Sequence, residues 1–131
     1  MRALARRASA KYTHDVKVRN HRFLADEPED AGGEDRGPSP QELLAASLAA
    51  CTAITIEMYA ERKGWDLAGL EVDCDYQPAA RGCPTKFTLL MRMPDHLTAE
   101  QVERLQVIAA KCPVHRTLEG EVSFDERIEI A

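Results

Sequence analysis

The feature that most constrains this chain is "PQELLAASLAACTAITIEMYAERK", residues 40–63, which contains no glycine and no proline after its first residue. Alanine and leucine dominate its first half, and both favour helix. Ser39, Pro40 and Glu42 have the spacing of a capping box with proline at the first helical position, and Gly64 offers a stop at the other end. The spacing predicts a helix from 40 to about 63. Its apolar residues, Leu43, Leu44, Leu48, Ile54, Ile56 and Met58, spread over more than one face, and charge gathers only in the last turns, at Glu57, Glu61, Arg62 and Lys63. A helix apolar nearly all round is buried on most sides. In 131 residues, about the length of one domain, it is the central helix, with a second subunit as a candidate for the rest of its cover.

Around this helix the pattern switches to period two. Tyr12, His14, Val16 and Val18 alternate with Thr13, Asp15 and Lys17, and "HRFLA" (21–25) follows as a pairing strand. The stretch 26–40, "DEPEDAGGEDRGPSP", is acidic and rich in glycine and proline, and reads as a solvated loop or as a flap over a site. After Trp65, "LEVDCDYQ" and "KFTLLMRM" read as a hairpin joined by "PAARGCPT". Thr98 and Gln101 repeat the capping box before an amphipathic helix ending at Cys112, and Pro113 starts a short further turn that Gly120 closes. Val122, Phe124, Ile128 and Ile130 share one face of an expected last strand. The order β-β, long α, β-β, α, β describes an α+β fold, with helices packed on mostly antiparallel sheet. We read residues 1–131 as a single domain whose first ten residues are a flexible N-terminal segment.

A charge of −5 and a pI near 5.4 argue against nucleic acid, whose recognition needs clustered Lys and Arg. The start "MRALARRASA" lacks the apolar core of a signal peptide, and no window reaches the roughly 18 apolar residues of a membrane span. Neither membrane nor nucleic acid is expected as a partner, and the cytoplasm is the expected location. There, four cysteines (Cys51, Cys74, Cys83, Cys112) point to thiol chemistry or metal binding rather than a disulfide framework.

Cys74 reads as packing on the apolar face of a strand, and Cys83 as a loop thiol that nothing orients. Cys112 precedes Pro113 at the junction of two helical segments, where unpaired N–H groups of the second would favour a thiolate. Cys51 lies in mid-helix, where burial raises a thiol's pKa, so chemistry there requires a cation from elsewhere. The candidates are Arg19, His21, Arg22 and Arg36. Glu42 either orients an arginine or only caps the helix. Cys51, Cys112 and His115 could alternatively hold a metal, although Cys-x-x-His is a weak signal.

"GPSPQELLAASLAACTAITIEMYAERKGW", followed by "CPVHRTLEGEVSF", resembles the OsmC/Ohr family from about Tyr12 to the C-terminus. The resemblance implies an OsmC-like fold, an intertwined homodimer with long central helices and two active sites at the subunit interface. It further implies a thiol peroxidase that reduces organic hydroperoxides without a cofactor. Cys51 would be the peroxidatic residue and Cys112 the resolving one, with a small dithiol or lipoyl-type reductant. In the family's peroxidases a glutamate directly follows the motif's proline and pairs with an arginine. Here that position is Gln41, the carboxylate is Glu42, and Arg36 is the nearest replacement for an arginine missing from the preceding loop. These departures keep open a non-catalytic reading, a redox-responsive or thiol-binding OsmC-like protein.

Overall fold

The structure, a computed structural model, describes residues 1–130. It is α+β, in the order β1 (Leu4–Arg7), β2 (His14–Val18), β3 (His21–Ala25), α1 (Pro40–Lys63), β4 (Glu71–Gln77), β5 (Lys86–Arg92), α2 (Ala99–Ala109) and α3 (Pro113–Glu119). The chain divides into two compact units. One comprises residues 1–46 and 76–86, and the other residues 47–75 and those from 87 onward.

The first unit holds an antiparallel sheet in the order β1-β2-β3, with Val16 opposite Ala5 on one side and Phe23 on the other. Leu4–Arg7 is therefore a paired strand, where the sequence suggested a flexible segment. Its "LARR" offers little hydrophobic alternation, and backbone pairing to β2 supplies the order that the side chains do not signal.

The acidic segment after β3 is anchored rather than merely solvated. Asp26, fully buried, accepts hydrogen bonds from Thr13 Oγ1 (2.6 Å) and from the N–H groups of Glu27 (2.8 Å), Arg36 (3.3 Å) and Glu34 (3.5 Å). Thr13 above all, with these N–H groups, holds its carboxyl below the usual range against the opposing effect of burial. Two glycines allow the loop this close. A Cβ on Gly33 would meet the Glu27 carbonyl oxygen at 2.0 Å, and one on Gly37 would meet the Leu24 carbonyl oxygen at 2.0 Å. The loop feeds directly into α1, whose capping box forms: Glu42 N–H donates to Ser39 Oγ (3.2 Å) and Ser39 N–H to Glu42 Oε1 (2.9 Å).

The second unit contains the core. Ile56 and Ala60 of α1 pack with Leu67 and with Leu105, Ile108 and Ala109 of α2; Trp65, Leu70, Met91, Met93 and Leu97 close around them. Arg104 Nε donates to the Tyr59 hydroxyl (2.9 Å), and Trp65 meets the Tyr59 ring edge-on at 5.7 Å, pinning α2 to α1. α1 ends at Gly64, whose φ of 73° no other residue type adopts so readily. β4 and β5 pair as a two-stranded sheet.

Two further expectations change. Residues 121–130 form no strand, and Phe124, Ile128 and Ile130 are exposed. Alternation supplies a face, but a strand also needs a neighbouring edge for its N–H and C=O groups. Also, α1 is long and apolar enough, by length and composition, to cross a membrane. The expectation that no window reaches the roughly 18 apolar residues of a span is therefore corrected: averaged over the helix, leucine, isoleucine and alanine outweigh the isolated hydroxyls. Ile56 and Ala60, in the part of α1 that belongs to the second unit, lie in that unit's core.

Candidate functional site

The helical period decides what Cys51 can reach. Leu48, Thr52, Ile56 and Ala60, four residues apart, form the buried stripe of α1. Cys51 lies one residue off that stripe and is half-buried. Cys112 is brought to it by the second "CP". α2 stops at Ala109, Pro113 takes the first position of α3, where its missing N–H costs nothing, and Cys112 becomes the N-cap of α3. Its side chain is completely buried, and its sulfur accepts from the His115 N–H at 3.4 Å.

The two thiols are near enough to influence each other's ionisation, and both are free. Burial first, and then Cys112, push the Cys51 thiol upward. Working against this are two donors to its sulfur, the Val114 N–H in the first turn of α3 and the Thr55 hydroxyl one turn along α1. Neither featured in the sequence reading. Thr55 was legible as the i+4 neighbour of Cys51 on one helix face, whereas Val114 acts through its backbone and depends on how α3 approaches α1.

None of the largest influences on Cys51 is a cation. The proposed activating residues belong to the first unit. Arg19 occupies the β2-β3 turn with φ 54°, and His21 is exposed on β3. Arg22 is paired with Asp15 at 3.0 Å on the surface. Arg36 contributes its N–H to Asp26 while its side chain is exposed. Glu42 acts as the capping-box carboxylate, and its pKa is lowered by Ser39.

The His115 ring is turned onto Glu119 through Nε2. Among the described residues no group of three His, Cys, Asp or Glu side chains is arranged to hold a metal. Cys74 lies half-buried on β4, its pKa raised first by burial and then by Asp75 and Asp73. Cys83 is exposed beside Gly82 in the β4-β5 connection.

The arrangement offers a partly accessible sulfur with a second, sequestered sulfur in contact with it. Such a pair can cycle between two thiols and a disulfide, passing through a sulfenic acid if the first sulfur meets a peroxide.

Comparison with known proteins gives the same family as the motifs. The family model described as OsmC-like protein matches residues 32–127. No curated protein matches the chain. Solved structures of the same fold include the OsmC like protein from Mycoplasma pneumoniae, 17% identical with a TM-score of 0.74, over 91% of this chain and 86% of that one. The organic hydroperoxide resistance protein OsmC from Legionella pneumophila is 21% identical with a TM-score of 0.67, over 92% and 90%. The organic hydroperoxide resistance protein OhrB of Bacillus subtilis is 23% identical with a TM-score of 0.61, over 91% and 90%. At these identities the likeness to the solved structures is one of fold, while the family model spans most of the chain, and the chain belongs to the OsmC-like protein family.

Proposed function

We propose that this protein is a cysteine-based thiol peroxidase that reduces organic hydroperoxides, with Cys51 peroxidatic and Cys112 resolving. The observation that carries the reading is the contact between a half-buried thiol and a fully buried one. In the first step the Cys51 thiolate attacks the terminal oxygen of ROOH. The O–O bond breaks, an S–O bond forms, and the alkoxide takes a proton and leaves as ROH. Cys112 then attacks the Cys51 sulfenic acid, the S–O bond breaks, water leaves and a disulfide forms. A small dithiol of lipoyl type returns the pair to thiols by exchange and is itself oxidised to a disulfide.

The working form in this reading is a homodimer with its sites at the subunit interface. The apolar side of α1 that bears Ile54 and Met58 is exposed in the single chain, and a second copy would cover it. Four free cysteines suit a reducing compartment, and we assign the protein to the cytoplasm.

The test is turnover of cumene hydroperoxide with dihydrolipoate. Cys51→Ser is expected to abolish it. Cys112→Ser is expected to stop the cycle after one equivalent, with Cys51 trapped as sulfenic acid. A wild-type protein that consumes no hydroperoxide while both thiols remain titratable ends this reading. The alternative, a redox-responsive or thiol-binding protein without turnover, is favoured by the raised Cys51 thiol and by a Glu42 carboxylate already engaged in capping. A peroxide-driven Cys51–Cys112 disulfide that no dithiol recycles would support it.

A further inference from the structure

The first unit holds a cavity of about 500 Å³ that the thiol chemistry does not use, and neither Cys51 nor Cys112 lines it. Its walls are apolar. Ala5, Val16 and Ala25 come from one face of the β1-β2-β3 sheet, where the strand register places them together, and Pro40 and Leu43 come from the start of α1. Size and lining are those of a small-molecule site. Two polar side chains also line it, and the fold fixes both. His14 Nδ1 lies 2.8 Å from the Tyr12 carbonyl oxygen. A carbonyl only accepts, so Nδ1 carries the proton, and Nε2 of the neutral ring is left as an acceptor. Glu27 is held on both sides of its Cα: its N–H donates to Asp26 Oδ1 (2.8 Å), and its carbonyl accepts from the Asp35 N–H (3.1 Å). Its half-buried carboxylate makes no ion pair among the described residues.

The chemistry of the lining selects the ligand. Its carboxylates are Asp26 and Glu27, and no lysine or arginine lines the cavity. Asp26 is already met by Thr13 and three N–H donors, which leaves Glu27 as the charge without a partner. Arg7, opposite His14 in register, is turned to the Ala10 carbonyl (2.9 Å) and takes no part in the lining. A carboxylate and a lone-pair nitrogen, both acceptors, therefore stand beside apolar walls. A plain hydrocarbon would leave both acceptors unmet, and an anion would be repelled by Glu27. We infer that the cavity binds a primary alkylammonium ion, its hydrocarbon chain against the sheet and α1 and its N–H donors on the Glu27 carboxylate and His14 Nε2. Opposite charge and N–H donation then act together on a half-buried carboxylate. Because the loop and the ring are fixed beforehand, little ordering opposes binding.

The experiment titrates the full chain with hexylamine at neutral pH by calorimetry. Hexanol, which lacks the charge, and hexyltrimethylammonium, which keeps the charge and lacks the N–H donors, are the comparison probes. Hexylamine is expected to bind at least about tenfold more tightly than either. Glu27→Gln, which keeps the shape and removes the charge, is expected to weaken hexylamine about tenfold and to leave hexanol unchanged. Ala5→Trp, which fills the cavity from the exposed edge strand β1, is expected to abolish binding. Thermal unfolding checks that both variants fold, and the comparison of the three probes on the wild-type chain needs neither. Equal affinity for hexylamine and hexanol, or an unchanged hexylamine affinity in Glu27→Gln, overturns the inference. So does a wild-type chain that takes up no hexylamine; if Ala5→Trp then weakens self-association, a second copy occupies the cavity instead. No arm uses a hydroperoxide, so this inference and the peroxidase reading stand or fall separately.

Discussion

The two sides of α1 have nearly the same composition and opposite fates. Ile56 and Ala60, on the side that meets α2, are 0% and 1% exposed, whereas Ile54 and Met58, a few residues away, are 50% and 57% exposed. Leucine, isoleucine and methionine bury equally well anywhere, so the difference lies in what the chain has available to cover each side. α2 is one helix and closes one side. A helix apolar all round, in a chain with too few elements to surround it, therefore carries information about assembly as well as about fold. The candidate active cysteine lies at the margin between the two sides, which is where a sulfur can be partly desolvated and still be reached.

If the closed side holds the unit together, emptying it costs the most. Ile56→Ala is expected to destabilise the protein by about 3 kcal/mol, lost transfer energy plus a cavity in a fully buried position. Chemical denaturation measures it, and a loss well under about 1 kcal/mol would mean that this side is not the core. If the open side is the dimer face, Ile54→Asp with Met58→Asp should leave the fold intact and raise the dimer dissociation constant at least tenfold, about 1.4 kcal/mol. Sedimentation equilibrium reads this directly. A variant pair that stays dimeric would make the open side ordinary surface, and one that unfolds would make it core.

How much of this the sequence disclosed follows the range of the interactions involved. The limits of α1 were legible because capping boxes, proline and glycine act within a few residues, and Ser39, Glu42 and Gly64 do what their spacing says. The hairpins were legible from alternation. Leu4–Arg7 was not, because its order comes from pairing to β2, and residues 121–130 gave the converse error, a clear alternation with no edge beside it. The two cysteines were singled out by motif, whereas their contact depends on the path of α2 into α3 and is not a local property. Asp26 was read only as part of an acidic loop, since nothing in "DEPEDAGGEDRG" distinguishes the carboxylate that Thr13 and three N–H groups collect around.

The N-terminal turns of α1 allow a smaller test of the same local logic. Ser39→Ala removes the hydroxyl that accepts the Glu42 N–H, and a loss of about 1 kcal/mol is expected, measured by thermal or chemical unfolding. No change would mean that proline at the first position and the fixed loop already set the start of the helix.

The smallest effect is expected from Thr52, on the closed side, and its sign is the informative part. Among the described residues its buried hydroxyl has no partner, so the fold bears the desolvation of a polar group and gains no hydrogen bond for it. Valine has the same shape without the hydroxyl. Thr52→Val is therefore expected to be neutral or to stabilise by up to about 1 kcal/mol. A destabilisation instead would show that the Thr52 hydroxyl has a partner in the assembled protein, and with it that the closed side of α1 is not purely apolar core.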